Sequence, residues 1–385
     1  MDETPDATST ESLATSGGTV EILVSLVSGK SLAMQMPFSE EAGTVKQVAA
    51  EKLGLCGEEV QLVLGEDTVS DQLKAEELSG CMLKLVVLSP GSIAASVGNR
   101  IVVASGSTLK TSSELDYGKT KRRSPYAVGW NPTNADQLAI CGKNLAWIHD
   151  FATGQEQFSR AFKGQGPSNF HWSADGRRLA FLNFRDVTVC DVNLGTENVL
   201  SQRSDVFSAS FHPGGSCMAV GQTDGIAICD LERGSELHFF HSDSVELVQW
   251  DSSGNLLASG DINGTLRVLT CTGEVRWNLR QCDAARQMGL QDKISSIAWS
   301  PVDSFIAFSS SWGMAVQLFD ANKGELVWKT ADYCPFHALS WNYNGIKVAG
   351  ACQDGHVYVF DGETGELHRS LELGKAVTSL SWSVA

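Results

Sequence analysis

Residues 340–366 read SWNYNGIKVAGACQDGHVYVFDGETGE, and this stretch decides the fold. It holds an aromatic anchor, Trp341, a polar turn at Asn344-Gly345, and an apolar run from Val348 to Cys352. A second turn follows at Asp354-Gly355, then Val357-Tyr358-Val359-Phe360, closing on Asp361 with Gly365 shortly after. The runs are β-branched and aromatic and too short for helices, so they read as strands. Asn-Gly and Asp-Gly pairs supply the positive φ that a tight hairpin demands.

Working outward, the block recurs. Anchors stand at Trp130, Trp172, Phe211, Trp250, Trp299, Trp341 and Trp382. Five strands close on Asp, three residues, Gly: Asp150/Gly154, Asp191/Gly195, Asp230/Gly234, Asp320/Gly324 and Asp361/Gly365; the sixth block has Thr270 and Gly273 instead. A period near forty residues with four short strands per unit is the signature of a β-propeller. The segment from Ser92 to Ser113 has the spacing of the second to fourth strands of a block, and Thr378 to Ser383 repeats only a first strand. Seven blades are therefore expected over 91–385, the last shared between both ends of the propeller, because such closure removes exposed sheet edges.

This pattern resembles the WD-repeat family over residues 91–385. The family's Trp-Asp position reads His149, Cys190, Cys229, Phe319 or Phe360 before the Asp, and the Gly-His pair opening each repeat is absent. The family's polar network is thus mostly missing, and apolar packing is expected to hold the blades. The resemblance implies a rigid protein-binding scaffold.

Residues 18–89 have another organisation. Val20, Ile22 and Val24 alternate on one strand and Leu32, Met34 and Met36 on the next; a helix follows, with Ser39 or Thr44 as N-cap candidates, then the strands EVQLVL and MLKLVVL. The order resembles ubiquitin, a small α+β (β-grasp) fold. Where ubiquitin ends in Gly-Gly, the chain reads Leu88-Ser89-Pro90-Gly91, so the resemblance implies a domain that is recognised rather than conjugated. Alignment places Val27, Val63 and Val86 at the apolar patch through which ubiquitin is read; the alternative for each is a core valine. Residues 1–17 are acidic and Ser/Thr-rich and are expected to be a disordered tail.

The formal net charge is −16, shared by both regions, which argues against nucleic-acid binding by bulk electrostatics. No run approaches a membrane span, and the expected location is cytoplasmic, with the nucleus as alternative. The basic cluster Lys119 to Arg123 reads as a solvated loop rather than an import signal. Ten cysteines, without any Cys-x-x-Cys pair, read as reduced core residues. No catalytic motif, cofactor loop or metal-ligand spacing is present: Gly164-Gln165-Gly166 lacks the strand and helix of a phosphate cradle, and the histidines are isolated. The repeated aspartates read as turn formers. Trp312, in the turn Ser311-Trp312-Gly313, is the candidate surface hot spot, and the extra length Gln281 to Asp292 is a candidate partner loop.

The expected protein is a non-enzymatic adaptor linked to ubiquitin receptors or the proteasome. Two alternatives are a ciliary or coat-type trafficking propeller and a cullin-type ligase receptor. The latter would carry Arg where this chain has Ala152, Asn193, Glu232, Asn322 and Glu363.

Overall fold

A computed structural model describes residues 19–26, 31–37, 39–53, 60–64, 67–68, 82–87, 91–106, 108–117, 125–162, 166–202, 204–280, 292–311, 315–331 and 335–384. The tail, the basic cluster and nearly all of the Gln281–Asp292 insertion lie outside these residues. The chain divides into two compact units, Met1–Ser89 and Pro90–Ala385.

In the first unit, β1 (Thr19–Leu26), β2 (Ser31–Pro37), β3 (Val60–Leu64), β4 (Asp67–Thr68) and β5 (Met82–Val87) form one sheet in the order β2-β1-β5-β3-β4. β1 is antiparallel to β2 and parallel to β5. Helix α1 (Ala42–Leu53) follows β2, with Ala42 and Val45 buried. Neither Ser39 nor Thr44 caps it. The helix opens on the carbonyl of Glu41, which accepts the N–H groups of Thr44 (2.9 Å) and Val45 (3.2 Å).

The second unit is a ring of seven four-stranded sheets. Blades 1 to 6 span 125–161, 169–201, 206–241, 245–280, 294–329 and 336–372. Blade 7 joins Val377–Trp382 to Ser92–Val97, Arg100–Ser105 and Thr111–Asp116. The closing strand pairs with Ser92–Val97, placing Trp382 opposite Ile93 and Val377 opposite Val97.

First strands of neighbouring blades adjoin one another and so ring the axis. Fourth strands alternate exposed and half-buried positions and form the rim. Between them, strands such as Leu256–Asp261 and Lys347–Cys352 are buried along their whole length. These sheets are apolar on both faces because each is sandwiched between neighbours, and every fully buried aliphatic contributes about 1.5–3 kcal/mol.

The closing turns explain the repeated motif. In blade 3, Asp230 Oδ1 accepts the N–H groups of Glu232 and Arg233, both at 2.8 Å, while the Gly234 N–H donates to Asp230 O at 3.0 Å. Asp150, Asp191, Asp320 and Asp361 do the same, each followed by a glycine at φ 66–73°. In blade 4, Thr270 Oγ1 substitutes by accepting the Glu274 N–H at 3.1 Å.

Apolar packing is not the whole adhesive. Serines one or three residues before an anchor accept backbone N–H groups from the next blade's first strand. Ser208 and Ser210 take Val248 and Trp250, Ser296 takes Leu339, Ser340 takes Trp382, and Ser379 and Ser381 take Val128 and Trp130, all at 2.9–3.1 Å. In the opposite sense, Trp172, Trp299 and Trp341 donate indole N–H to Gly129, Gln249 and Ala298 carbonyls of the preceding blade. On the rim, Trp277 and Trp328 donate to Ala321 and Gly362 of the following blade at 2.7 and 3.0 Å.

Cys141, Cys190 and Cys229 are free and buried. Cys352 departs from the expected reduced state: it is disulfide-bonded, with a partner outside the described residues. Single, widely spaced cysteines carry no sequence signal of such a pair.

Candidate protein-binding site

Each first strand starts on one face of the ring, which also carries the second-to-third-strand turns and the links between blades. It ends at its aromatic anchor on the opposite face. An axial channel of about 360 Å³ runs between them, lined by first-strand residues including His171, Ser208, Gln249, Ser296 and Ser381. Among the described residues no Asp, Glu, Lys or Arg lines it. His171 Nε2 and Gln249 Oε1 are buried there without hydrogen-bond partners, and burial pushes the His171 imidazole down to about 4, so it stays neutral. At the anchor face the channel opens into a pocket of about 250 Å³ walled by Trp130, Trp299, Trp341, Trp382 and Tyr343.

A groove of about 750 Å³ lies on the linking face and reaches from blade 1 to blade 4. Arg160 and Phe162 come from the end of blade 1, Asn183 to Asp186 from a hairpin tip of blade 2, Phe207 from blade 3 and Glu246 from blade 4. Phe184 is 69 % exposed. The same turn holds Lys143-Asn144, Thr223-Asp224, Asn263-Gly264 or Asp354-Gly355 in four other blades, whereas in blade 5 the sequence between the second and third strands carries Trp312. The tip is braced from within: Asn183 Nδ2 donates to Asp186 Oδ1 at 2.6 Å and to Thr188 Oγ1 at 3.1 Å.

Charges in the groove are unevenly matched. Arg160 donates through Nε and Nη2 to both oxygens of Glu197, at 2.6 and 2.8 Å, and its guanidinium lies 4.6 Å over the Phe162 ring; Nη1 has no hydrogen-bond partner. Arg185, its side chain 70 % exposed, reaches Asp205 only at 3.5 Å. Glu246 pairs with Lys293 at 3.7 Å.

Of the residues singled out from sequence, Val27 and Trp312 lie outside the described residues. Val63 sits on β3 opposite Lys84, and Val86 on β5 opposite Gln61, positions of the same parity on paired strands. Trp147, Trp277 and Trp328 serve packing and hydrogen bonding within the ring. His212 bridges blades, its Nε2 facing Gly254 O at 3.2 Å and its Nδ1 accepting the Gly214 N–H. Phe184 escaped the sequence reading; its signal was an aromatic residue between the second and third strands of its blade, as Trp312 is in blade 5.

Among the described residues no cluster of His, Cys, Asp and Glu could hold a metal ion. Burial pushes the thiols of Cys141 and Cys190 up to about 11 and 12, so neither is a nucleophile at neutral pH. Among the same residues no helix is long and apolar enough to cross a membrane.

The seven-sheet ring with its Asp-closed turns defines the class: a seven-bladed β-propeller. Two family models match parts of it, the anaphase-promoting complex subunit 4 WD40 domain over residues 326–385 and the WD domain, G-beta repeat, over residues 234–269. THO complex subunit 3 of Arabidopsis thaliana is 23% identical over 150 residues, covering 37% of this chain and 45% of that protein. The WD repeat-containing protein slp1 of Schizosaccharomyces pombe is 24% identical over 214 residues, covering 52% of this chain and 41% of that protein. The chain thus spans under half the length of either relative. A chain in a crystal structure of the mitotic checkpoint complex superposes with a TM-score of 0.58 at 15% identity, over 66% of this chain and 79% of that one, a likeness of fold.

Proposed function

We propose that this chain is a non-enzymatic scaffold that binds other proteins through the faces of its propeller. One observation carries the reading: the repeated polar residues are spent on turns and blade seams, while the linking face keeps a large groove with an exposed aromatic finger. Such anchors in concave surfaces carry most interface energy. Similarity to a THO complex subunit and to a chain of the mitotic checkpoint complex supports work inside multi-subunit assemblies.

In this reading the first unit is a ubiquitin-like domain over residues 18–89, supported by the sheet order β2-β1-β5-β3-β4 with α1 after the first hairpin. Val27, Val63 and Val86 form its contact for ubiquitin receptors, supported by the matching parity of Val63 and Val86. Trp312 adds an aromatic contact on the propeller.

Affinity purification of the tagged full chain from cells, followed by size exclusion, tests the scaffold. Co-elution with stoichiometric partners is expected. A chain that elutes alone at every salt concentration overturns it.

A further inference from the structure

We propose that the groove running from Arg160 to Glu246 docks an extended peptide that pairs an acidic residue with an apolar one. The inference rests on the scaffold reading and names the class of partner.

The apolar half follows from three phenyl rings. Phe162 and Phe207 are half-buried in the walls, and Phe184 stands out at the hairpin tip. Phe184 is 69 % exposed, and covering its ring with a partner would remove that apolar surface from water. A Leu, Ile, Met or Phe entering between these rings would bury it.

The acidic half follows from the exposed guanidinium of Arg185 beside Phe184. The carboxylates of the groove are engaged: Asp186 by Asn183, Glu197 by Arg160, Glu246 by Lys293. Arg185 is not saturated: its side chain is 70 % exposed and holds one ion pair, to Asp205 at 3.5 Å, whereas Arg160, with Nη1 buried, is committed to Glu197. Guanidinium groups with spare N–H donors select a carboxylate in two-point geometry. A nucleic-acid backbone, the other polyanion, is disfavoured by the net charge of −16.

The test is selection of a random ten-residue phage-displayed library on the full chain, then fluorescence anisotropy with the best labelled peptide. Selected sequences are expected to place Asp or Glu within four residues of a large apolar residue. Phe184→Ala and Arg185→Glu should each weaken binding at least tenfold with an unchanged melting temperature, as both side chains are mainly in solvent. Exchanging the peptide's acid for Lys should weaken it equally. Selected peptides lacking an acid, binding indifferent to Phe184→Ala, or an empty selection each overturn the groove assignment. Co-purification run in parallel on the Phe184→Ala chain separates the two readings: partners retained by that variant count against the groove and leave the scaffold standing.

Discussion

Ser381 Oγ accepts the backbone N–H of Trp130 at 3.0 Å, across 251 residues of chain. Ser379 does the same for Val128, so the last first strand is stitched to the earliest complete blade by two bonds of a kind used at three other blade junctions. A buried N–H left without its acceptor costs about 1–3 kcal/mol.

The Ser379→Ala, Ser381→Ala double variant should therefore lose roughly 2–4 kcal/mol, read from urea unfolding. Deleting residues 376–385 should act far more strongly, lowering the thermal midpoint and promoting aggregation, because the sheet edge of Ser92–Val97 and the pocket of Trp382 open together. An unchanged melting curve would mean that the closing strand contributes nothing.

Asp320→Ala should destabilise the fold by about 1 kcal/mol, the scale of a lost turn hydrogen bond. Chemical denaturation checks it.

The turn aspartates also set an acid limit. The Thr153 backbone N–H holds Asp150, and the Arg233 backbone N–H holds Asp230, below the usual carboxylate range. A depressed folded value means stabilisation that is present above the unfolded value of about 3.9 and lost as pH falls through the folded one. Differential scanning calorimetry should find an Asp150→Asn, Asp230→Asn variant less stable than the parent at pH 7, with the gap narrowing as the pH falls below the unfolded value of about 3.9.

Gly365 has φ +73°, and a Cβ placed there would stand 2.6 Å from the Trp328 ring. Gly365→Ala should cost more than about 1 kcal/mol, through backbone strain and displacement of an indole that donates to Gly362 O. Thermal melting of the variant measures it.

Val63→Glu should leave the fold intact and abolish binding of the full chain to ubiquitin-receptor modules, since a carboxylate desolvated in an apolar contact costs several kcal/mol. If the unaltered chain shows no binding in surface plasmon resonance at millimolar concentrations of such modules, the ubiquitin link falls.

The ring was legible because its determinants are local. Each anchor, turn pair and Asp-to-Gly closure lies within one block of forty residues, so even the blade shared between distant strands could be derived. The serine seam was not legible, since a serine in a strand is ordinary and its partner is a backbone group one blade away. Phe184 was hidden because Asn183-Phe184-Arg185-Asp186 contains no glycine to mark it as a turn, whereas Ser311-Trp312-Gly313 drew notice to Trp312. The disulfide of Cys352 depends on what folding brings together, which single cysteines do not announce.

The shared blade also imposes a timetable. Thr378 donates its hydroxyl to Ser96 O across 282 residues, so a ribosome adding 5–20 residues per second needs about 14–56 s to deliver one after the other. Throughout that interval Ser92–Val97 has made its hairpin but offers its other side to any passing strand, and each of six blades is complete before the ring can shut. The nascent protein is a sticky open arc for longer than most domains take to fold, and slow synthesis or loss of a chaperone should damage it during birth more than at maturity.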